Sequence, residues 1–531
     1  MLKRLVSIGL LSATVLAFVF IGQASPQTQI CDPNDVQYQL QYLRRLSVDF
    51  RGYLPSVEEA NKVAKEGKVT ETLIDSFVES PEFLKELTGY HRDLLWAALP
   101  TIRFGNPWRM TGNGDSSPLY IRDRATMFRG RETGNRTVGC LNEPATFDKD
   151  GNIQTKTVKG ARREGYVKIK PYWAPNTEVK VCAFDAQKAL TYKDKSGKEK
   201  SCKTDDPRGS KACGCGPNLN WCQSEHHRTA QEFTKAISQQ MLFFIEDIVK
   251  NNKPYSDMLT AKTFKMNGVF SHYMRHLAHT PDSVRIGAKQ GWDKIPNIPF
   301  TEKDKWIDVK TSSLHSGMLT MAGFLLRYGT NRGRTNKFYN VFLCRPFQAP
   351  PGGLPAGQDP CHKEPNLMKR CGCRYCHQTI EPVAAYWGRW SESAASLMDS
   401  KVYPEYLDKC GSRDARRDRF CRTFYFVSPS HQDEERYRGM LKSYVFANDK
   451  MKQNIDKGPV GLANEAIKSG LFASCTVKKL WMWFVSKSLP SDHRLKTLTQ
   501  QFIKDNYNMK KLLRNMVMTS EYRRLAPVKR K

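Results

Sequence analysis

The sequence predicts a mainly α-helical protein with a multi-helical hairpin module at each end and a loop-rich, disulfide-stapled insert. Apolar residues recur at three- and four-residue steps in 36–99, 229–345 and 459–525, which is the spacing of amphipathic helices. Residues 100–228 lack that periodicity and are rich in glycine, lysine and cysteine. The 531 residues, of which 40% are hydrophobic, suffice for two or three core-forming units.

The first residues have the composition of a targeting segment. Lys3 and Arg4 precede an apolar run over residues 5–21, and small residues end at Ala24. This pattern predicts a signal peptide over residues 1–24. We therefore expect an exported protein, periplasmic or secreted, that associates with a membrane only if this segment stays uncleaved.

The N-terminal module, residues 36–99, carries two helix-start signals. Ser56 with Glu59 three residues later predicts a capping box, and Ser80 before Pro81 predicts a second helix start.

The C-terminal module, residues 459–525, echoes the N-terminal one, and we interpret the two as related helical hairpins packed around the middle of the chain. Three matches in order indicate this: Lys478-Lys479-Leu480 with Arg44-Arg45-Leu46, Leu489-Pro490-Ser491 with Leu54-Pro55-Ser56, and Thr519-Ser520-Glu521-Tyr522 with Ser80-Pro81-Glu82-Phe83.

The insert, residues 100–228, is expected to contain short strands at 166–169 and 179–184. Its cysteines favour disulfides, because a small loop-rich unit needs such cross-links. The alternative is a metal site, although the spacing is not a standard zinc pattern. That site would be drawn from Cys213, Cys215, Cys222, His226 and His227.

The central region, residues 229–345, returns to helical periodicity, with a long first helix and shorter ones at 256–261 and 264–277. A Pro-containing connection follows at 281–312. Three histidines lie on or near one helical face and could ligate a metal, although partly exposed polar positions are the favoured interpretation: His272, His276 and His279.

A single C-x-x-C-H motif, Cys373-Arg-Tyr-Cys376-His377, lies in the segment 346–458. It is the attachment signature of a c-type haem. Two cysteines three residues apart share one face of a helical turn, so both thiols can reach the vinyl groups of one porphyrin edge. His377 would then be the proximal iron ligand. The sequence predicts one haem c, while disulfides or zinc remain the alternative use of these cysteines.

The distal ligand cannot be read from the sequence. Met398 and Met440 are candidates, with Met451 also at a usable distance along the chain and His431 offering bis-histidine ligation. Arg389 is expected either to pair a haem propionate or to be a solvated surface residue.

Cysteine number constrains the rest of the chain. Of the 15 cysteines, removing Cys373 and Cys376 leaves an odd number, so at least one further thiol stays free, ligates or pairs between chains. Cys361 and Cys371, which flank the loop before the motif, are expected disulfide partners.

The net charge of +31 favours anionic partners, either a redox partner protein or an anionic cell-envelope surface. No segment has a nucleic-acid-binding motif. A mean hydropathy of −0.58 excludes a multi-span membrane protein. No arrangement typical of a hydrolase or a nucleotide enzyme is present.

Six stretches of the chain, taken in order, match one family pattern. They are Leu43 to Ser56, Ser80-Pro-Glu-Phe, Phe243 to Thr260, Ser316-Gly-Met-Leu-Thr, Cys373 to His377 with Ile380-Glu-Pro and Gly388-Arg-Trp, and Cys475 to Trp481. Together they resemble the Planctomycete-type cytochrome c proteins and their associated secreted helical domains of unknown function. The resemblance implies secreted, mainly helical proteins with a cytochrome-c-like centre. This family usually carries an acidic-Pro-Xaa-Gly-Phe run after the histidine, whereas this chain has Glu381-Pro382-Val383-Ala384-Ala385.

Three hypotheses for function follow. The first is an exported c-type cytochrome that transfers electrons through one covalent haem. The second is a haem-dependent periplasmic oxidoreductase with an open sixth iron site. The third is a non-haem protein, stabilised by disulfides or zinc, that binds surfaces through its basic charge.

Overall fold

The computed structural model describes residues 35–99, 102, 109–113, 118–122, 138–203, 211–278, 295–347, 360–392, 394–486 and 488–524. The predicted signal peptide, Cys31 and His279 lie outside these residues. Within them helices predominate, so the mainly α prediction is confirmed. None of the helices in this part of the chain is long and apolar enough to cross a membrane.

The N-terminal module is four helices with the predicted caps. Ser56 and Glu59 form the capping box, each side chain accepting from the backbone N–H of the other. Ser80 Oγ accepts from the N–H of Phe83. The helices are α1 (Val36–Arg51), α2 (Val57–Glu66), α3 (Glu71–Val78) and α4 (Pro81–Leu95).

The insert contains a five-stranded sheet with strand order β5-β6-β2-β1-β9, and two separate hairpins, β3-β4 and β7-β8. β2 pairs β6 in parallel and β1 in antiparallel orientation. The two predicted strands are present. The strands are β1 (Arg109–Asn113), β2 (Leu119–Arg122), β3 (Lys156–Val158), β4 (Ala161–Arg163), β5 (Tyr166–Ile169), β6 (Val179–Cys182), β7 (Thr191–Lys193), β8 (Glu199–Ser201) and β9 (Gln223–Ser224).

The central region is built on the long helix α5, whose apolar face contacts both the N-terminal module and the insert. A π-helical turn, Tyr273–Leu277, continues α7. The elements are α5 (Thr229–Lys250), α6 (Asp257–Thr260), β10 (Thr263–Met266), α7 (Gly268–His272), β11 (Ile307–Lys310), α8 (Ala322–Arg327) and α9 (Asn331–Phe342).

The expected helix over 264–277 is wrong in its first part. There β10 pairs antiparallel with β11, more than forty residues later in the chain. The helix begins only at Gly268, where a Cβ atom would lie 1.9 Å from the carbonyl oxygen of Pro299. Long-range pairing and this close backbone approach therefore override the local periodicity.

The segment with the C-x-x-C-H motif has a small core of its own, which includes Met398, Cys410, Cys421 and Tyr425. The predicted domain boundary after residue 458 falls inside α13, which kinks at Gly458 and Pro459. The helices are α10 (Arg374–Ala384), α11 (Asp408–Gly411), α12 (Arg419–Phe424) and α13 (Asp449–Lys468).

The C-terminal module repeats the capping pattern of the first. Ser491 caps one helix by accepting from the N–H of Arg494, and Thr519 caps another by accepting from the N–H of Tyr522. These caps occupy the positions of Ser56 and Ser80 in the matched sequences. The helices are α14 (Leu471–Phe484), α15 (Asp492–Lys504), α16 (Met509–Val517) and α17 (Ser520–Arg523).

The two end modules pack against each other, as interpreted from the sequence. Tyr42 donates to the carbonyl of Val517 at 2.9 Å, and Tyr522 donates to Asp49 at 2.7 Å. Arg514 on α16 lies 3.1 Å from Asp75 on α3. Both modules contribute to one large apolar core, so the N-terminal and C-terminal modules form one packed unit.

Six disulfides cross-link the described residues, which indicates an oxidising compartment. They leave Cys373 and Cys376 as the free cysteines of the described part. The pairs are Cys140–Cys182, Cys202–Cys213, Cys215–Cys222, Cys344–Cys475, Cys361–Cys371 and Cys410–Cys421.

Candidate functional site

The C-x-x-C-H motif forms the first turn of α10. Cys373 is the N-cap residue, and its carbonyl accepts from the N–H of His377 at 3.0 Å. Cys373 and Cys376 are partly buried and carry free thiols. A helical turn places both thiols and the imidazole at one end of α10. Two thiols and one histidine in this arrangement can anchor a porphyrin and offer it one axial ligand.

A short disulfide-closed loop leads into the motif. Cys361 and Cys371 are paired, as predicted. Inside the loop the Asn366 side chain accepts from the N–H of Met368, and Arg370 donates to the carbonyl of Glu364. The loop is thus held locally before α10 begins.

A cavity of about 520 Å³ lies beside α10. This volume is in the range of about 300–1,000 Å³ that holds cofactors and other small ligands. Glu381 and Ala384 of α10 line the cavity, and so does Gly388 just beyond the helix, whereas Cys373, Cys376 and His377 are not among its lining residues. The opposite walls come from the start of α9, residues 365–368, residues 423–426 and residues 441–446.

Close packing shapes the wall that follows α10. A Cβ atom at Gly388 would lie 2.7 Å from Ile455, so glycine permits α13 to approach. Trp387 is fully buried and donates through its indole nitrogen to the carbonyl of Leu319. Ala384 and Ala385 stand where the family pattern has glycine and phenylalanine, and both line the cavity with small side chains.

A buried arginine ties the start of α9 to the wall. Arg334 is 1% exposed and donates to the carbonyls of Tyr328, Leu325, Trp390 and Ser391. Burial lowers its pKa to about 10, so the guanidinium remains charged at neutral pH. Its hydrogen bonds hold residues 390–392 against α9. Residues 390–392 and the first turn of α9 both border the cavity.

Charged groups of both signs border the cavity. Lys442 donates to the carbonyls of Arg422 and Thr423, and burial lowers its pKa. Arg332 lies at the start of α9 with its Nε 2.7 Å from Glu381 Oε1. Both cations have partners within the protein, and both line the cavity, where the carboxylates of a ligand such as a porphyrin could compete for them.

The imidazole of His377 has a carboxylate partner. Its Nδ1 lies 2.5 Å from Oε1 of Glu381, one helical turn further along α10. The two side chains are only 20% and 15% exposed. Because Nδ1 faces the Glu381 carboxylate, the other ring nitrogen, Nε2, points away from that carboxylate.

The structure separates the predicted distal candidates. Met398 and Met451 line the cavity, and so does Met368, which the sequence analysis did not consider. Met440 forms an isolated β-bridge with Tyr406 and is not among the residues that line the cavity. Three cavity-lining methionines therefore offer sulfur ligands on walls other than α10.

Two further candidates lie elsewhere. His431 is exposed and caps a 3₁₀ turn, where its ring nitrogen accepts from the N–H of Asp433. Arg389 donates to the carbonyl of Tyr403 and to the hydroxyl of Tyr444, and it does not line the cavity. The propionate role expected for Arg389 thus fits Arg332 and Lys442 better.

The metal alternatives in the insert are not assembled. Cys213, Cys215 and Cys222 are all in disulfides, which confirms the favoured interpretation. His227 instead pairs with the hydroxyl of Tyr120 at 2.8 Å. The described cluster Cys140, Glu164 and Cys182 cannot offer thiolates, because its two cysteines are bonded to each other.

The histidines of the central region lie in a basic environment. His272 is buried and stacks on Tyr172 with ring centroids 3.7 Å apart, and its pKa is lowered chiefly by burial. Burial, together with the nearby positive charges of Lys203 and Arg275, lowers the pKa of His276 to about 4. These neighbouring positive charges oppose binding of a cation there.

Comparison of the chain with protein-family models, curated proteins and solved structures found no match.

Proposed function

We propose that this protein is an exported c-type cytochrome that transfers electrons through one covalent haem. The observation that carries the proposal is the pair of free thiols. Every other cysteine in the described part of the chain is in a disulfide, whereas Cys373 and Cys376 remain free on one turn with His377. If these two thiols are reserved for another bond, we expect the other cysteines to form disulfides and these two to stay free.

The site fits the group in three respects. The thiols can form the two thioethers, His377 can supply the proximal nitrogen, and Glu381 and Ala384, one and two turns further along the same helix, line a cavity of about 520 Å³. Arg332 and Lys442 are the proposed partners of the propionates. When bound, the haem would supply a one-electron couple, and the axial ligands together with the charged and apolar groups around it would set the potential.

Met398, Met451 or Met368 would complete the iron coordination in an electron-transfer protein. A methionine ligand raises the potential relative to histidine. The alternative is an oxidoreductase whose sixth position stays open. The oxidoreductase remains the second candidate, because the volume of the cavity and the charged groups on its wall would suit a substrate.

The resemblance to the Planctomycete-type cytochrome c proteins also belongs to this proposal, as does export through the segment 1–24. The proposed partner is an acidic redox protein or an anionic cell-envelope surface. The charge of +31 supports either, because a strongly basic surface speeds encounter with anionic partners.

The test is a reduced pyridine spectrum of protein made in a host with haem-attachment machinery. We expect the band of a haem with two thioethers in the wild type, a shifted or absent band in Cys376→Ala, and no covalent haem in Cys373→Ala/Cys376→Ala. Tyr375→Ala is the control, since Tyr375 is exposed between the cysteines.

The absence of a haem band, with Cys373 and Cys376 both alkylated in the unfolded and unreduced protein, would refute both haem proposals. Zinc bound to the same thiols, found by metal analysis, would favour the third hypothesis of a disulfide- or zinc-stabilised basic surface-binding protein.

A further inference from the structure

Three side chains from two helices form a continuous chain at the edge of the cavity. Oε1 of Glu381 lies 2.5 Å from Nδ1 of His377 and 2.7 Å from Nε of Arg332. His377 and Glu381 belong to α10, whereas Arg332 comes from the first turn of α9. The histidine and the carboxylate are mostly buried, while Arg332 is 54% exposed.

We propose that Glu381 is a positioning residue that holds His377 in one tautomer and strengthens it as an electron donor, and that Arg332 moderates this effect. The inference rests on the proposed haem function. A histidine that donates its Nδ1–H to a carboxylate presents the lone pair of Nε2, and the carboxylate raises the basicity of the ring.

The direction of the effect on the potential follows from charge. A more basic axial ligand stabilises the oxidised iron more than the reduced iron, because the oxidised iron carries the larger positive charge. Glu381 should therefore lower the potential. Arg332 draws electron density from the same carboxylate oxygen, so it should raise the potential.

Glu392 provides a matched control for simple charge. It lines the same cavity, and its carboxylate accepts from the backbone N–H of Asn331. Glu392→Gln removes one negative charge from the wall without changing a contact of His377. It thus separates a through-space effect from one transmitted through the imidazole.

The experiment is a redox titration of the haem-loaded wild type and of Glu381→Gln, Arg332→Gln and Glu392→Gln. Outer-shell partners of ligating histidines typically alter metal affinity about 10–100-fold. If the oxidised state loses about tenfold in relative stability, Glu381→Gln raises the potential by about 59 mV. Arg332→Gln should lower the potential, and Glu392→Gln should raise it clearly less than Glu381→Gln.

Equal shifts in Glu381→Gln and Glu392→Gln would overturn the proposal, because the effect would then be only through space. Shifts of the same sign in Glu381→Gln and Arg332→Gln would also overturn it, since general loosening of the site predicts that result.

A second readout needs no haem. Nitrogen NMR of histidine-labelled protein made without haem attachment should show His377 with its proton on Nδ1, and His377→Gln assigns the signal. Loss of this preference in Glu381→Ala, which removes the acceptor that Glu381→Gln retains, supports the positioning role. A proton on Nε2 in the wild type would refute the inference even if a haem is present, whereas a missing haem band would refute only the proposed function.

Discussion

The disulfide between Cys344 and Cys475 gives the sharpest test of how the chain is held together. It joins the residue after α9 to the middle of α14 and closes a loop of 131 residues. In the chain-entropy description, a loop of this length restricts the unfolded chain by about 5 kcal/mol. Cys344→Ala/Cys475→Ala should therefore lower the free energy of unfolding by up to about that amount.

The control is the disulfide Cys202–Cys213 in the insert, whose two cysteines are 11 residues apart. The same relation gives about 2.8 kcal/mol for its removal. Replacing each pair with alanine removes the same atoms, so the difference between the variants isolates the loop length. Urea unfolding followed by tryptophan fluorescence measures both.

An equal loss in the two variants would refute the entropic reasoning, and so would a loss below about 1 kcal/mol for the longer loop. The haem potential is expected to be the same in Cys344→Ala/Cys475→Ala as in the wild type, because neither cysteine lines the cavity.

Two other predictions concern the distal side and pH. If the proposed haem takes its sulfur ligand from the cavity wall, one of Met398→Ala, Met451→Ala and Met368→Ala should abolish the long-wavelength absorption of a sulfur-ligated ferric haem, while Met440→Ala should leave it. Rapid cyanide binding by a wild type without that band would favour the open-site alternative. His91 is fully buried, and burial lowers its pKa to about 4 from 6.5. The imidazole of the unfolded chain takes up a proton at a higher pH than the buried imidazole does. The contribution of His91 to the free energy of unfolding is therefore complete above about pH 6.5 and falls by about 3 kcal/mol towards pH 4. His91→Gln should flatten this decline in urea midpoints, and an unchanged slope would contradict the assignment.

Local chemistry explains what the sequence could predict. The caps at Ser56, Ser80, Ser491 and Thr519 depend on a side chain and an N–H three residues away, so a short pattern suffices to identify them. The C-x-x-C-H turn is equally local. The disulfide Cys361–Cys371 follows because the two cysteines flank one short loop.

Long-range contacts explain what the sequence missed. The strand β10 depends on a partner more than forty residues later. Arg332 and Glu381 are 49 residues apart in the sequence, and no local pattern around either residue predicts their contact. The contact between His377 and Glu381 can, however, be predicted from the sequence, because residues four apart on a helix are neighbours. Met368 was overlooked because its place on the cavity wall depends on the disulfide-closed loop.

The positions of the cavity and the main core suggest a division of labour along the chain. Within the described part of the chain, the residues that line the cavity lie between Asn331 and Met451, whereas the large core is shared by the two end modules and the helices of the central region. Trp390 belongs to both, since it packs in that core and also borders the cavity.

The junction near Trp390 is therefore where stability and the site are coupled. Arg334 holds it through the carbonyls of Trp390 and Ser391. A change within the end modules should alter the free energy of unfolding and leave the cavity intact while the chain stays folded. A change at Arg334 would leave several buried carbonyls without a donor and would also release one wall of the cavity. The buried arginine thus links α8 and α9 of the central region to the wall beside α10.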